Sequence, residues 1–74
     1  MTSFEIDCPQ SFYGCDKIDV YAVHQTNHSN FHLIKDGKTV STIQRLIHGA
    51  WRHIAGKTLT VEELDFISKQ IENN

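Results

Sequence analysis

Two cysteines and three histidines in the first half of the chain have the types best suited to chemistry. Cys8, Cys15, His24 and His28 are a set of the kind that holds zinc, because two thiolates and two imidazoles complete a tetrahedral site. The spacing works against it. Structural zinc sites use cysteine pairs about two to four residues apart, whereas residues 9–14 separate Cys8 from Cys15. His32 continues the spacing of His24 and His28, and these imidazoles converge only if the strands carrying them pair. A Cys8–Cys15 disulfide requires an oxidising compartment, which nothing in the sequence suggests. Reduced thiols are the expectation, with no metal and no cofactor. A Cys–His or Asp–His pair is able to make a nucleophile or a general base. No spacing here supports one, so the chain is not expected to be an enzyme. Asn27-His28-Ser29 matches a glycosylation acceptor, which carries no meaning without a secretion signal.

Two further groups suit binding. Arg45, His48 and Arg52 fall at i, i+3 and i+7, one face of a helix, with Gln44 beside them. Together with Lys35, Lys38 and Lys57 they would make a nucleic-acid-binding surface, a helix in the major groove and a hairpin on phosphates. The other group is Phe66 among Glu62, Glu63, Asp65 and Gln70, an aromatic anchor rimmed by acids and an amide. Phe66 either anchors a partner or packs under the N-terminal segment against Phe12 or Tyr13. The net charge of −2 at pH 7 argues against affinity drawn mainly from neutralising phosphates. It hides blocks. Residues 1–19 carry Glu5, Asp7, Asp16 and Asp19 against Lys17; residues 41–57 carry Arg45, Arg52 and Lys57 with no acid; residues 58–74 turn acidic again. Either a basic helix lies beside acidic neighbours or one charged face meets a partner.

These side chains need a scaffold, and 74 residues with 39% apolar content provide one folded domain. Residues 3–7 alternate as a short strand. Residues 18–24 and 31–35 read as strands, rich in β-branched and aromatic types. Asp36-Gly37 marks a type I′ hairpin returning through Lys38-Thr39-Val40. From Ser41 the period changes. Ile43, Leu46, Ile47, Ala50, Trp51 and Ile54 form an apolar stripe at helical spacing, which predicts a first helix with Trp51 in the core. Gly56 suits its end. A second helix begins at Thr60, whose hydroxyl and Glu63 make a capping box, and runs to about Glu72 with Val61, Leu64, Ile67 and Ile71 inward. The expected fold is α+β: a three- or four-stranded antiparallel meander followed by two C-terminal helices packed on it.

Residues 31–40 followed by Arg45-Leu46 resemble the hairpin-then-helix part of phage HNH and AP2-like domains. That resemblance implies a scaffold, because the metal-binding segment of an HNH site does not follow. In size, acidic ends and lack of a targeting segment the chain also resembles, in type, the small accessory proteins that bacteriophages make to redirect host machinery. This implies a non-catalytic protein that binds and inhibits or modulates a host protein in the cytoplasm. One form is an acidic, DNA-mimicking surface that competes for a basic channel such as that of a replication sliding clamp. Gln44-Arg45-Leu46-Ile47 resembles clamp-binding peptides. The alternative is the nucleic-acid module using Arg45, His48, Arg52, Lys35, Lys38 and Lys57. A homodimer through Phe66 would add burial to a modest core. No apolar run of about 18 residues is present to span a membrane.

Overall fold

The structure is a computed structural model that describes residues 2–12, 14 and 16–74, with the backbone alone at Thr2. Five strands run β1 (Thr2–Asp7), β2 (Lys17–His24), β3 (His28–Lys35), β4 (Lys38–Leu46) and β5 (Trp51–Gly56), followed by helix α1 (Val61–Glu72). They form one antiparallel meander in the order β1-β2-β3-β4-β5. The two-residue hairpin stands as expected: Asp36 (φ 54°) and Gly37 (φ 79°) both have positive φ, and Lys35 faces Lys38 across it. Asp7 and Lys17 close the first strand pair with an ion pair of 2.8 Å, which raises the Lys17 pKa through that hydrogen bond.

The expected first helix is absent, and the sheet has five strands where three or four were expected. Residues 38–46 are a single long strand, and residues 51–56 return beside it. Two physical reasons outweigh the helical spacing of the apolar residues. A helix from Ser41 would leave half of β3 without a ladder partner, exposing the N–H and C=O groups beside Phe31. Thr39, Val40, Thr42 and Ile43 are β-branched, and Gly49 costs a helix interior about 1 kcal/mol. Gly49 instead turns the chain with φ 90°, while the Leu46 N–H donates to the Ala50 carbonyl at 2.8 Å. The six stripe residues therefore part company. Ile43 is buried and Leu46 and Trp51 are half-buried, but Ile47 is 76% and Ile54 41% exposed.

Two bulges bend this hairpin. Leu33 and Ile34 face Ser41 and Thr39, leaving Val40 extra; Thr42 and Ile43 face Ala55 and His53, leaving Ile54 extra. Alternation then sends Phe4, Ile6, Ile18, Val20, Ala22, Phe31, Leu33 and Ile43 to one face. Helix α1 presses Ile67 and Ile71 onto that face, and Phe12 from the β1–β2 connection joins the core. Val61, expected inside, is 82% exposed because the helix has turned it outward. The helix lies close to β1 and β5, the two edge strands. A helix stacked about 10 Å above a flat sheet reaches neither edge, so both edges curl toward it.

Gly56 sits where β5 closes on the first bulge. A Cβ there would lie 2.5 Å from the Val40 carbonyl oxygen and 2.7 Å from the Ser41 Cα, and φ is +80°. Gly49 shares the positive φ but has nothing within 4 Å. Gly49→Ala should cost ~1–2 kcal/mol from left-handed strain alone. Gly56→Ala should cost clearly more, since β4 and β5 must separate as well. Urea unfolding of both variants measures this, and equal losses would contradict the close approach.

Candidate functional site

All five strands and the end of α1 meet at the mouth of the curled sheet. Phe4, Phe31 and Trp51 wall a cavity there of ≈ 290 Å³. Each arrives by strand alternation. Phe4 lies two residues from Ile6, Phe31 two from Leu33, and Trp51 pairs with Arg45, two residues from Ile43. The Phe31 and Trp51 ring centroids are 5.2 Å apart with planes at 39°, and His24 meets Phe31 edge-on at 6.0 Å. His24 Nδ1 is engaged with the Ser29 hydroxyl at 2.8 Å. The Trp51 indole N–H donates to Glu72 Oε2 at 3.4 Å. Arg45 and Glu72 line the same cavity with opposite charges, and neither belongs to an ion pair among the described residues. A shallower cleft, between the β2–β3 turn and the β4–β5 hairpin, shares Arg45 and is lined by Gln25, His28 and Ile47.

The cations expected on one helical rod are dispersed. Arg45 and Arg52 occupy neighbouring strands with side chains on opposite faces: Arg45 at the cavity, Arg52 on the open face. There the Arg52 Nε donates to Gln44 Oε1 at 2.8 Å and Gln44 Nε2 donates to Asn30 Oδ1 at 3.0 Å. Gln44 is thus locked into a ladder rather than offered to a groove. His48 lies in the β4–β5 turn. Lys35 and Lys38 flank the β3–β4 turn at the far end of the sheet, and the Lys57 ammonium lies 5.4 Å from the centre of the Phe12 ring. The hairpin-then-helix resemblance loses its helix at the same point.

The zinc set is also taken apart. Cys8 follows the Asp7–Lys17 pair, and its amide donates to the Asp16 carbonyl at 2.9 Å. His24 lies seven residues further along β2, roughly 23 Å away at ~3.3 Å per residue, and His28 is beside it. No tetrahedral site spans that distance. The Cys8 thiol is buried with the Phe12 carbonyl 3.5 Å away. Cys15, and with it the disulfide alternative, lies outside the described residues, as does Tyr13.

The acidic cluster on α1 divides into an outer face and a structural node. Val61, Glu62, Asp65 and Phe66 share the solvent side. Phe66 keeps 38% of its surface exposed, so it is not simply packed under the N-terminal segment. Asp65 pairs with Lys69 at 3.0 Å, and Gln70 is half-buried at the border. Glu63 does not belong with them. It is 5% exposed, accepts from the Thr60 N–H at 2.9 Å and from the Ser11 hydroxyl at 2.9 Å, and the Thr60 hydroxyl accepts from its own N–H at 3.1 Å. The capping box foreseen in the sequence thus consumes a carboxylate that was also assigned to a partner.

The cavity residues were missed as a group because the sequence gives their alternation but not the curl that gathers them. Phe4 and Phe31 each carry the two-residue spacing of a buried strand face. The helical spacing reads Trp51 as helical core and Arg45 as a helical cation. Comparison with protein-family models, curated proteins and solved structures gives no match.

The Thr60 N–H holds the Glu63 carboxyl below its ordinary pKa of 4.5; burial opposes this, and the Ser11 hydroxyl and the Lys57 charge assist it. A depressed folded pKa contributes stability that is complete above the unfolded value and lost as pH falls through the folded one. Glu63→Gln should therefore cost ~0.5–1 kcal/mol at neutral pH, since glutamine keeps the cap but not the charge at the helix N-terminus. The gap between the two proteins should close below about pH 4. Unfolding free energies across pH check this; a gap independent of pH would remove the linkage.

Proposed function

We propose that the chain is a small non-catalytic binding protein that docks on a partner protein through the outer face of α1. The observation that carries this reading is the placement of Val61 and Phe66, two exposed apolar residues, at the corners of a patch whose other corners are Glu62 and Asp65. Val61 and Asp65 are i, i+4 neighbours, as are Glu62 and Phe66, so the four lie within two turns. A single exposed apolar side chain means little, but apolar anchors beside unburied carboxylates match the make-up of a docking patch. The complementary partner presents a small apolar pocket edged by cations. Such edges are common on proteins that hold nucleic acid, and a DNA-handling protein of a host cell is the form favoured here. In that form Glu62 and Asp65 stand where phosphates would bind. The nucleic-acid-binding alternative loses the helix on which its cations were to lie.

The test uses the full chain carrying a photo-crosslinker at Gln70, at the edge of the patch, in host lysate. The captured protein is then purified for binding measurements. Phe66→Ala should weaken binding ~10–100-fold and Glu62→Lys ~10-fold, with unfolding free energies within about 1 kcal/mol of the parent. DNA should compete. Variants that bind like the parent would remove the docking face, and a gel shift of DNA by the chain alone, abolished by added salt, would favour the alternative.

A further inference from the structure

We infer that the mouth of the curled sheet is a binding site for a small aromatic amino acid in its zwitterionic form. The cavity is closed laterally by three aromatic side chains, Phe4, Phe31 and Trp51, and its volume of ≈ 290 Å³ lies at the low end for ligand sites. That admits one aromatic ring and a short polar head. The ring would lie against the Phe31–Trp51 pair, whose planes are tilted by 39° at the cavity wall. Two charges decide the head. Arg45 and Glu72 line the same cavity, and neither forms an ion pair with the other or with another described residue; Glu72 accepts only the long hydrogen bond from the Trp51 indole N–H, at 3.4 Å. A guanidinium offers a fork of donors to a carboxylate. Glu72 ends α1, where the last carbonyls already favour a cation. An α-carboxylate on Arg45 and an α-ammonium toward Glu72 would satisfy both. A purely anionic aromatic acid would meet Glu72 unfavourably, and an aromatic amine would meet Arg45 so. The opposite charges of Arg45 and Glu72 therefore select the zwitterion over either. This site lies at the C-terminal end of the helix on its inner side, independent of the docking patch on its outer side.

Trp51 is the only tryptophan in the chain, so its fluorescence reports the cavity directly. The experiment titrates the full protein with L-phenylalanine, with 3-phenyllactate (no ammonium) and with phenethylamine (no carboxylate), followed by Trp51 fluorescence and by calorimetry. Phenylalanine should bind saturably in the millimolar range or tighter, and each analogue about tenfold or more weakly. Arg45→Met should weaken phenylalanine and phenyllactate by about tenfold and leave phenethylamine unchanged or tighter. Glu72→Gln should weaken phenylalanine and phenethylamine and leave phenyllactate unchanged or tighter. Both positions are exposed, and unchanged unfolding curves confirm that the fold is intact. Absence of saturable binding by both readouts overturns the proposal. So does equal binding of the three compounds, or equal effects of both substitutions on all of them.

Discussion

A five-stranded sheet with one apolar face and a single short helix to cover it is the constraint from which the rest of this molecule follows. Helix α1 has 12 residues and so spans about 18 Å. The sheet is roughly 19 Å across between its edge strands if flat, with strands longer than that width. One helix of about 10 Å diameter leaves much of such a face in water. Curling brings β1 and β5 up to the helix and lets Ile67 and Ile71 fill the middle. The bulges at Val40 and Ile54 supply bend at one edge, and the bare backbone of Gly56 lets β5 close on the first of them. What the helix still does not reach, beyond its last turn, is the cavity walled by Phe4, Phe31 and Trp51.

The sequence was clearest where one local interaction dominates. Asp36-Gly37 needs positive φ at both positions and dictates its turn alone. Thr60 and Glu63 satisfy each other's backbone groups without help from the sheet. The alternating stretches of β1, β2 and β3 fell into place for the same reason. Residues 41–54 failed because their outcome is non-local. Their apolar spacing fits a helix, yet residues 38–46 were already committed as the partner of β3. The His48-Gly49 pair was the available sign of a turn, and it interrupts the stripe at its centre. A periodicity built from two short strands and a turn mimicked one helix by phase alone. Once that helix is removed, Arg45, His48 and Arg52 cease to be one surface. Cys8 and His24 likewise parted because β1 and β2 run antiparallel, placing them at opposite ends of the sheet.

Charge follows the same geometry. An antiparallel meander sorts its side chains by face and its connections by end. Glutamine, asparagine and arginine on the open face satisfy one another through the Asn30–Gln44–Arg52 ladder, so Gln44 is buried without cost from unpaired groups. His32 and Thr42 form the adjacent rung at 3.0 Å. That face is therefore structured by its own hydrogen bonds and has no need of a covering layer. The opposite face holds the core, and Arg45 and Glu72 line it where the core gives out.

The two ends of α1 are held differently, and this gives the molecule a direction. At its start, Glu63 is fixed by the Thr60 N–H, the Thr60 hydroxyl and Ser11, buried and in a lower dielectric where such bonds are strong. At its end, beyond Ile71, the Trp51–Glu72 hydrogen bond is long at 3.4 Å and open to water. There the Asn73 N–H caps the last turn on the Lys69 and Ile71 carbonyls. Val61, Glu62, Asp65 and Phe66 lie in the turns beside the Glu63 node. The mouth of the sheet and the outer face of the first turns thus belong to opposite ends of one helix.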